Sequence, residues 1–338
     1  TDPRDAARAA FLTGAGFAGG EARPLAGDAS PRRYFRLPGA VLMDADPAQG
    51  MEVGRFAALT GWLRGLGLSA PAVLAADPAS GFLLLEDLGD ALFARVAIDP
   101  AVETAAYAAA VEVLLRLRRE TPPRRVETFA CAAEPSAYDA EILSREARLA
   151  IEWWAPAAGA APGPDAAAEL DALIGAATAR AAADRRALVL LDYHAENLIW
   201  LPERAGLARV GLLDYQDARI GSPAYDLASL LSDARRDVAP ALRATLLERY
   251  VAAQDAGFDR AAFEADLAAL SAQRNLKILG IFARLARRDG KPGYLRLTPR
   301  VWRNLIEDLA HPDLARLAAF VRARIPEPDT AALARAAA

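Results

Sequence analysis

Lysine is nearly absent from this chain. Of 40 basic residues only Lys277 and Lys291 are lysines; the rest are arginines. Any task that needs a cation before Lys277 therefore falls to a guanidinium, a planar fork of donors rather than a point charge. The single cysteine, Cys131, excludes an intrachain disulfide and a cysteine metal cluster, and reads as a small apolar residue. Histidine occurs only as His194 and His311. There is no apolar run long enough to span a bilayer and no secretory leader is visible, so a cytoplasmic protein is expected. The formal net charge is −4, unlike that of a chain built to neutralise nucleic-acid phosphates. No nucleic acid, membrane or obligate protein partner is expected.

What is present is apolar surface, at 54% of 338 residues, enough for one large domain or two lobes, with helical periodicity in many windows. The stretch from Leu188 to Leu231 organises the rest. Two short apolar runs, Leu188–Leu191 and Val210–Leu213, read as buried strands, and each ends in an aspartate, Asp192 and Asp214. Asn197 follows Asp192 by five residues and precedes a third run, Leu198–Leu201. Alone, Asp192 reads more readily as a turn residue or a helix cap. In context the layout is that of phosphoryl transfer. The first Asp takes the proton of the acceptor hydroxyl, the Asn holds a metal ion, and the second Asp holds Mg2+ between the phosphates of ATP.

LLDYHAENLIW and GLLDYQDARIGSPAYDLASLL resemble the C-terminal lobe of the aminoglycoside phosphotransferase and choline kinase superfamily. DASPRRYFRL (28–37), VLMDADP (41–47), LLLEDLGD (83–90) and RNLKILGIFARLARRDGKPGYL (274–295) are similar to a subgroup, the anomeric N-acetylmuramate and N-acetylglucosamine kinases. The resemblance implies an α+β, bilobal, protein-kinase-like fold. A small antiparallel-sheet nucleotide lobe would span residues 1–86, and a large helical lobe with the catalytic loop and sugar site residues 87–338. It implies ATP and Mg2+, an amino-sugar acceptor, and a sugar 1-phosphate product used in cell-wall recycling. In the family, Glu86 and Leu88 would meet adenine through their backbone, Asp226 would hold the catalytic loop, and Glu196 would face the acceptor. Two rivals stand beside this: a kinase for an aminoglycoside or amino alcohol, and a nucleotide-binding pseudokinase.

In chain order, Asp2-Pro3 caps a helix running to about Gly14. Strands follow at Glu21–Ala26, Arg33–Leu37, Ala40–Asp44, Ala72–Ala75 and Phe82–Leu85. The loop 27–33 between the first two is either an ordinary hairpin or a phosphate cradle. Ser30, Arg32 and Arg33 favour the cradle. The third strand holds Met43 where kinases place the phosphate-binding lysine, so Arg33 or Arg36 is the candidate replacement. Helices are expected at Met51–Leu66, where Glu52 reads either as an arginine-orienting side chain or as a solvated carboxylate, at Pro100–Glu120, at Ser136–Trp154 with Ser136 as cap, and from Asp165 to about Ala183. Residues 155–164 read as loop. Trp153 and Trp154 read as packing residues, with Arg145 beside them as a substrate candidate. His194 is read as a loop-stabilising or substrate group, and Gln216 as a neighbour of the metal or the substrate. Helical sequence then fills Pro240–Ala256, Arg260–Asp289 and Pro299–Ala310. Arg274, Asn275, Lys277, Arg284 and Arg303 lie there, a solvated run or, for an acidic sugar, the place for its carboxylate; Arg274 and Lys277 are the named substrate candidates.

Overall fold

The structure is a computed structural model that describes residues 4–17, 22–25, 32–129 and 131–337. The elements run in the order α1 (Asp5–Gly14), β1 (Arg23–Pro24), β2 (Arg33–Leu37), β3 (Ala40–Asp44), α2 (Gly54–Gly65), β4 (Val73–Asp77), β5 (Phe82–Glu86), α3 (Phe93–Val96) and α4 (Pro100–Arg119). A short hairpin follows, β6 (Val126–Thr128) and β7 (Cys131–Ala133), then α5 (Ala140–Ala147), α6 (Ala155–Ala157), α7 (Ala166–Ala183), β8 (Ala187–Val189), β9 (Leu198–Trp200), β10 (Val210–Leu212) and β11 (Arg219–Gly221). The chain finishes in helices: α8 (Ala224–Leu231), α9 (Pro240–Ala252), α10 (Arg260–Arg287), α11 (Thr298–Asp308), α12 (Ala315–Arg324) and α13 (Thr330–Ala337).

Packing divides these into two units. The first comprises 1–113, 123–135 and 197–217; the second comprises 114–122, 136–196 and 218–338. The β9–β10 hairpin belongs with the N-terminal sheet unit, because Leu212 donates its N–H to Ser69 and Trp200 donates to Ala91.

In the first unit β1, β2, β3, β5 and β4 form an antiparallel sheet in that order. Alternation sends Phe35, Leu37, Ala40, Leu42, Phe82 and Leu84 to one face, where they pack against Leu12 and Phe11 of α1. Tyr34, Arg36, Val41, Met43, Leu83 and Leu85 point to the other. Asp44 ends β3 on the α1 face with its carboxylate fully buried, and Arg4, Arg8 and Arg33 all pair with it. Three guanidinium groups on one carboxylate staple α1 to the sheet. Helix α2 starts at Gly54, so Glu52 precedes it and is exposed.

In the second unit β8 pairs with β11, an unexpected strand, rather than with β9. The helix cap is Asp139, which accepts the Ile142 N–H; Ser136 instead accepts from Arg219. After α5 the chain widens into a π-helical stretch at Ala150–Trp154 and runs on through α6, inside what reads as loop. Trp154 is fully buried there and donates to the Pro326 carbonyl. Gly280 of α10 lies against Leu149, at the entry to that stretch, so closely that a Cβ would meet backbone at 2.2 Å. No helix among the described residues is long and apolar enough to cross a membrane.

Candidate active site

Asp192 follows β8 in a tight turn that the second unit clamps from several sides. Its own N–H donates to Leu190, and its carbonyl accepts from His194. Leu191, just before it, has φ +72, a conformation that costs a leucine about 1–3 kcal/mol and persists only when held. The holder is Asp226 of α8. Its carboxylate, 3% exposed, accepts the Leu190 N–H at 2.6 Å and the Leu191 N–H at 2.9 Å. Burial pushes the Asp226 carboxyl up to about 7, with those two N–H groups and Arg274 pulling it back.

The far side of the turn is tied to the loop after α8. Asp233 accepts from the Ala195 N–H at 3.0 Å. Arg235 pairs with Glu196 at 3.0 Å and lies 3.1 Å from His194 Nε2. Burial depresses His194 to about 4, so the imidazole is neutral near pH 7 and its Nε2 accepts from the guanidinium. Below the turn, Glu146 accepts from Tyr138 and pairs with Lys277 at 3.0 Å. Burial works against the Lys277 ammonium, but Tyr225, Glu146 and Asp192 hold its pKa above the ordinary lysine range.

In the first unit, the ladder between β9 and β10 closes with Leu198 opposite Leu212, and the Leu213 N–H then donates to Asn197 at 2.9 Å. Asn197 and Asp214 therefore flank the open end of one hairpin. Asp214 has φ +56, which breaks the strand's alternation at the residue whose carboxylate is in question. Gln216 donates to Asp214 Oδ1 at 2.9 Å, and its own carbonyl accepts from Arg55. A carboxylate and an amide oxygen are hard donors. Such oxygens are the kind a hard divalent cation takes.

Tyr34 faces this same end. It is the register partner of Met43, and burial together with the Asp214 charge pushes its phenol up to about 12. Arg32 shares its face by alternation, and its charge acts on Tyr34. Arg33 does not: Asp44 draws it to the α1 face. Arg36 is held by Asp87 at 2.8 Å and by Asp90. The Glu86 side chain is occupied by Arg204, Arg64 and the Ala72 N–H, and its own N–H donates to the Ala72 carbonyl at 2.8 Å. Leu88 packs with Ile199, Leu201 and Leu213 into an apolar cluster between β5 and the hairpin.

The model of the Phosphotransferase enzyme family matches residues 21–265. The chain belongs to that family. A relative from Caulobacter vibrioides, an N-acetylmuramate/N-acetylglucosamine kinase, is 41% identical over 96% of this chain and 97% of its own. The protein of the same name from Pseudomonas aeruginosa is 34% identical over 87% of this chain and 86% of its own. Among solved structures, a choline/ethanolamine kinase family protein from Mesorhizobium loti superposes with a TM-score of 0.62 at 18% identity, covering 94% of this chain and 99% of that one. An aminoglycoside phosphotransferase from Streptomyces rimosus gives 0.52 at 20% identity, over 80% and 99%. The bilobal α+β kinase-like fold is thus that of this phosphotransferase.

The remaining candidates fall out differently. Arg145 sits on the exposed side of α5, 3.8 Å from Glu141 one turn away, and is not brought to the Asp192 turn. Ser30 and the loop around it lie outside the described residues. Asp44, Asp233, Arg235 and Tyr34 were missed by reading the sequence. Only Asp233 and Arg235 had a usable signal, a charged SDARRD segment directly after the helix that opens at Tyr225-Asp226.

Proposed function

We propose that this phosphotransferase transfers the γ-phosphoryl group of ATP to the anomeric hydroxyl of N-acetylmuramate and N-acetylglucosamine. The sugar 1-phosphate it makes feeds peptidoglycan recycling in the cytoplasm. The observation that carries this reading is the 41% identity, along nearly the whole of both chains, to a kinase named for those two sugars. Asp192 is the base that orients and deprotonates the acceptor hydroxyl; the O–P bond forms as the bond to ADP breaks, and the proton passes to Asp192. Asp226, Asp233 and Arg235 keep that carboxylate in place. Asn197 and Asp214 hold Mg2+, which neutralises phosphate charge when bound. Leu88 and its neighbours would give adenine an apolar surface, and the Glu86 carbonyl and Leu88 N–H its hydrogen bonds. Arg32, on the face of Tyr34, would act on the phosphates in place of the missing lysine.

A cationic aminoglycoside or amino alcohol fits less well beside Arg274, whose charge acts on His194 and Asp226 and whose Nη1 has no acceptor. The test is ADP release from Mg·ATP with N-acetylmuramate, N-acetylglucosamine, kanamycin and choline, for the wild type and Asp192→Ala. Turnover of the two N-acetyl sugars is expected. The variant should lose roughly 10²- to 10⁴-fold in kcat while still binding ATP. Turnover confined to kanamycin or choline, ATP binding without turnover, or an active Asp192→Ala protein would each sink the proposal.

A further inference from the structure

Arg274 lies in the middle of α10 and is 5% exposed. Its Nη1 is buried without an acceptor, and among the described residues it has no hydrogen-bond or ion-pair partner. Its neighbours are served: Gln273 donates to the Leu143 carbonyl at 3.0 Å and Asn275 to Asp308 at 2.9 Å. The other two cations of this region are also matched, Lys277 by Glu146 and Arg235 by Glu196. A buried guanidinium N–H without a hydrogen-bond acceptor is costly, and a ligand that supplied the acceptor would offset that cost.

The position says which ligand. The Arg274 charge acts on both His194 and Asp226, the side chains on either side of the Asp192 turn. It belongs to the unit that carries the base, which meets the acceptor, and not to the hairpin that carries Asn197 and Asp214. The two acceptors proposed above differ at one point. N-acetylmuramate carries a lactyl ether, and hence a carboxylate, on the oxygen that is a plain hydroxyl in N-acetylglucosamine. We infer that Arg274 is the specificity-determining residue of this enzyme, taking the lactyl carboxylate of N-acetylmuramate in a forked ion pair. The inference rests on the functional reading above. A planar fork matches a carboxylate through two parallel N–H bonds, which a lysine at this place would not reproduce.

The test compares kcat/KM for the two sugars, and KM for ATP, in the wild type, Arg274→Met and Arg274→Lys. The methionine variant should lower the preference for N-acetylmuramate over N-acetylglucosamine roughly 10- to 100-fold, the value of a charge-assisted pair. The lysine variant should recover part of it. Thermal unfolding gives a readout without turnover: N-acetylmuramate should raise the melting temperature of the wild type and not of Arg274→Met, while N-acetylglucosamine should act alike on both. Equal losses on both sugars, or a raised KM for ATP, would overturn the inference. A wild type that turns over neither sugar would instead overturn the functional reading, and this one with it.

Discussion

Replacing Asp226 should cost the protein both stability and turnover. The carboxylate is almost fully buried and accepts two backbone N–H groups, those of Leu190 and Leu191, at 2.6 and 2.9 Å. In Asp226→Ala both donors stay buried with no acceptor. Each costs about 1–3 kcal/mol, so the pair costs about 2–6 kcal/mol. Leu191 would also lose what holds it at φ +72, and relaxing that residue would move Asp192 beside it. Asp226→Asn keeps one acceptor oxygen and turns an amide toward the other N–H, so about half the loss is expected. Urea unfolding of the three proteins gives the free energies, and steady-state kinetics with N-acetylglucosamine gives kcat. The alanine variant should unfold at clearly lower urea, the asparagine variant between it and the wild type, and kcat should fall further than ATP affinity in both. An alanine variant within about 1 kcal/mol of the wild type would refute the view that Asp226 clamps the turn.

His194 should leave a mark on the pH dependence of stability. Its folded pKa, about 4, lies below the ordinary histidine value, so its contribution is complete above pH ~6.5 and is lost as pH falls toward 4. At about 1.4 kcal/mol per unit, the wild type should lose about 2 kcal/mol relative to His194→Gln between pH 6.5 and 5. Urea unfolding at several pH values checks this, and parallel curves for the two proteins would count against a buried neutral imidazole. Gly280→Ala should destabilise the second unit, because its Cβ would stand 2.2 Å from the backbone carbon of Leu149 and both elements would have to shift. A cost of about 2 kcal/mol or more is expected, visible as a lower thermal midpoint; an unchanged midpoint would mean the two elements part freely.

The strands and turns around Asp192, Asn197 and Asp214 were legible because their information is local. A short apolar run, an aspartate, five residues to an asparagine, and a second run ending in aspartate describe strands and turns that the chain writes consecutively, and Asn197 and Asp214 do flank one hairpin. The long helices were legible for the same reason: their apolar period is carried by each segment alone. What sequence could not decide is which distant groups pair. Nothing in the spacing says that β8 takes β11 as its partner, or that the β9–β10 hairpin packs with the N-terminal sheet unit. Arg32, Arg33 and Arg36 look equivalent as letters. Strand register puts Arg33 on the other face, where Asp44 neutralises it together with two arginines from the N-terminal segment. Arg274 and Lys277 look equivalent too, three residues apart on one helix. Glu146, far back in the chain, pairs with the lysine, and no carboxylate among the described residues hydrogen-bonds the arginine. Charge pairing inside a fold is settled by which side chains tertiary packing brings within a few ångströms, and residue order alone does not carry that distance.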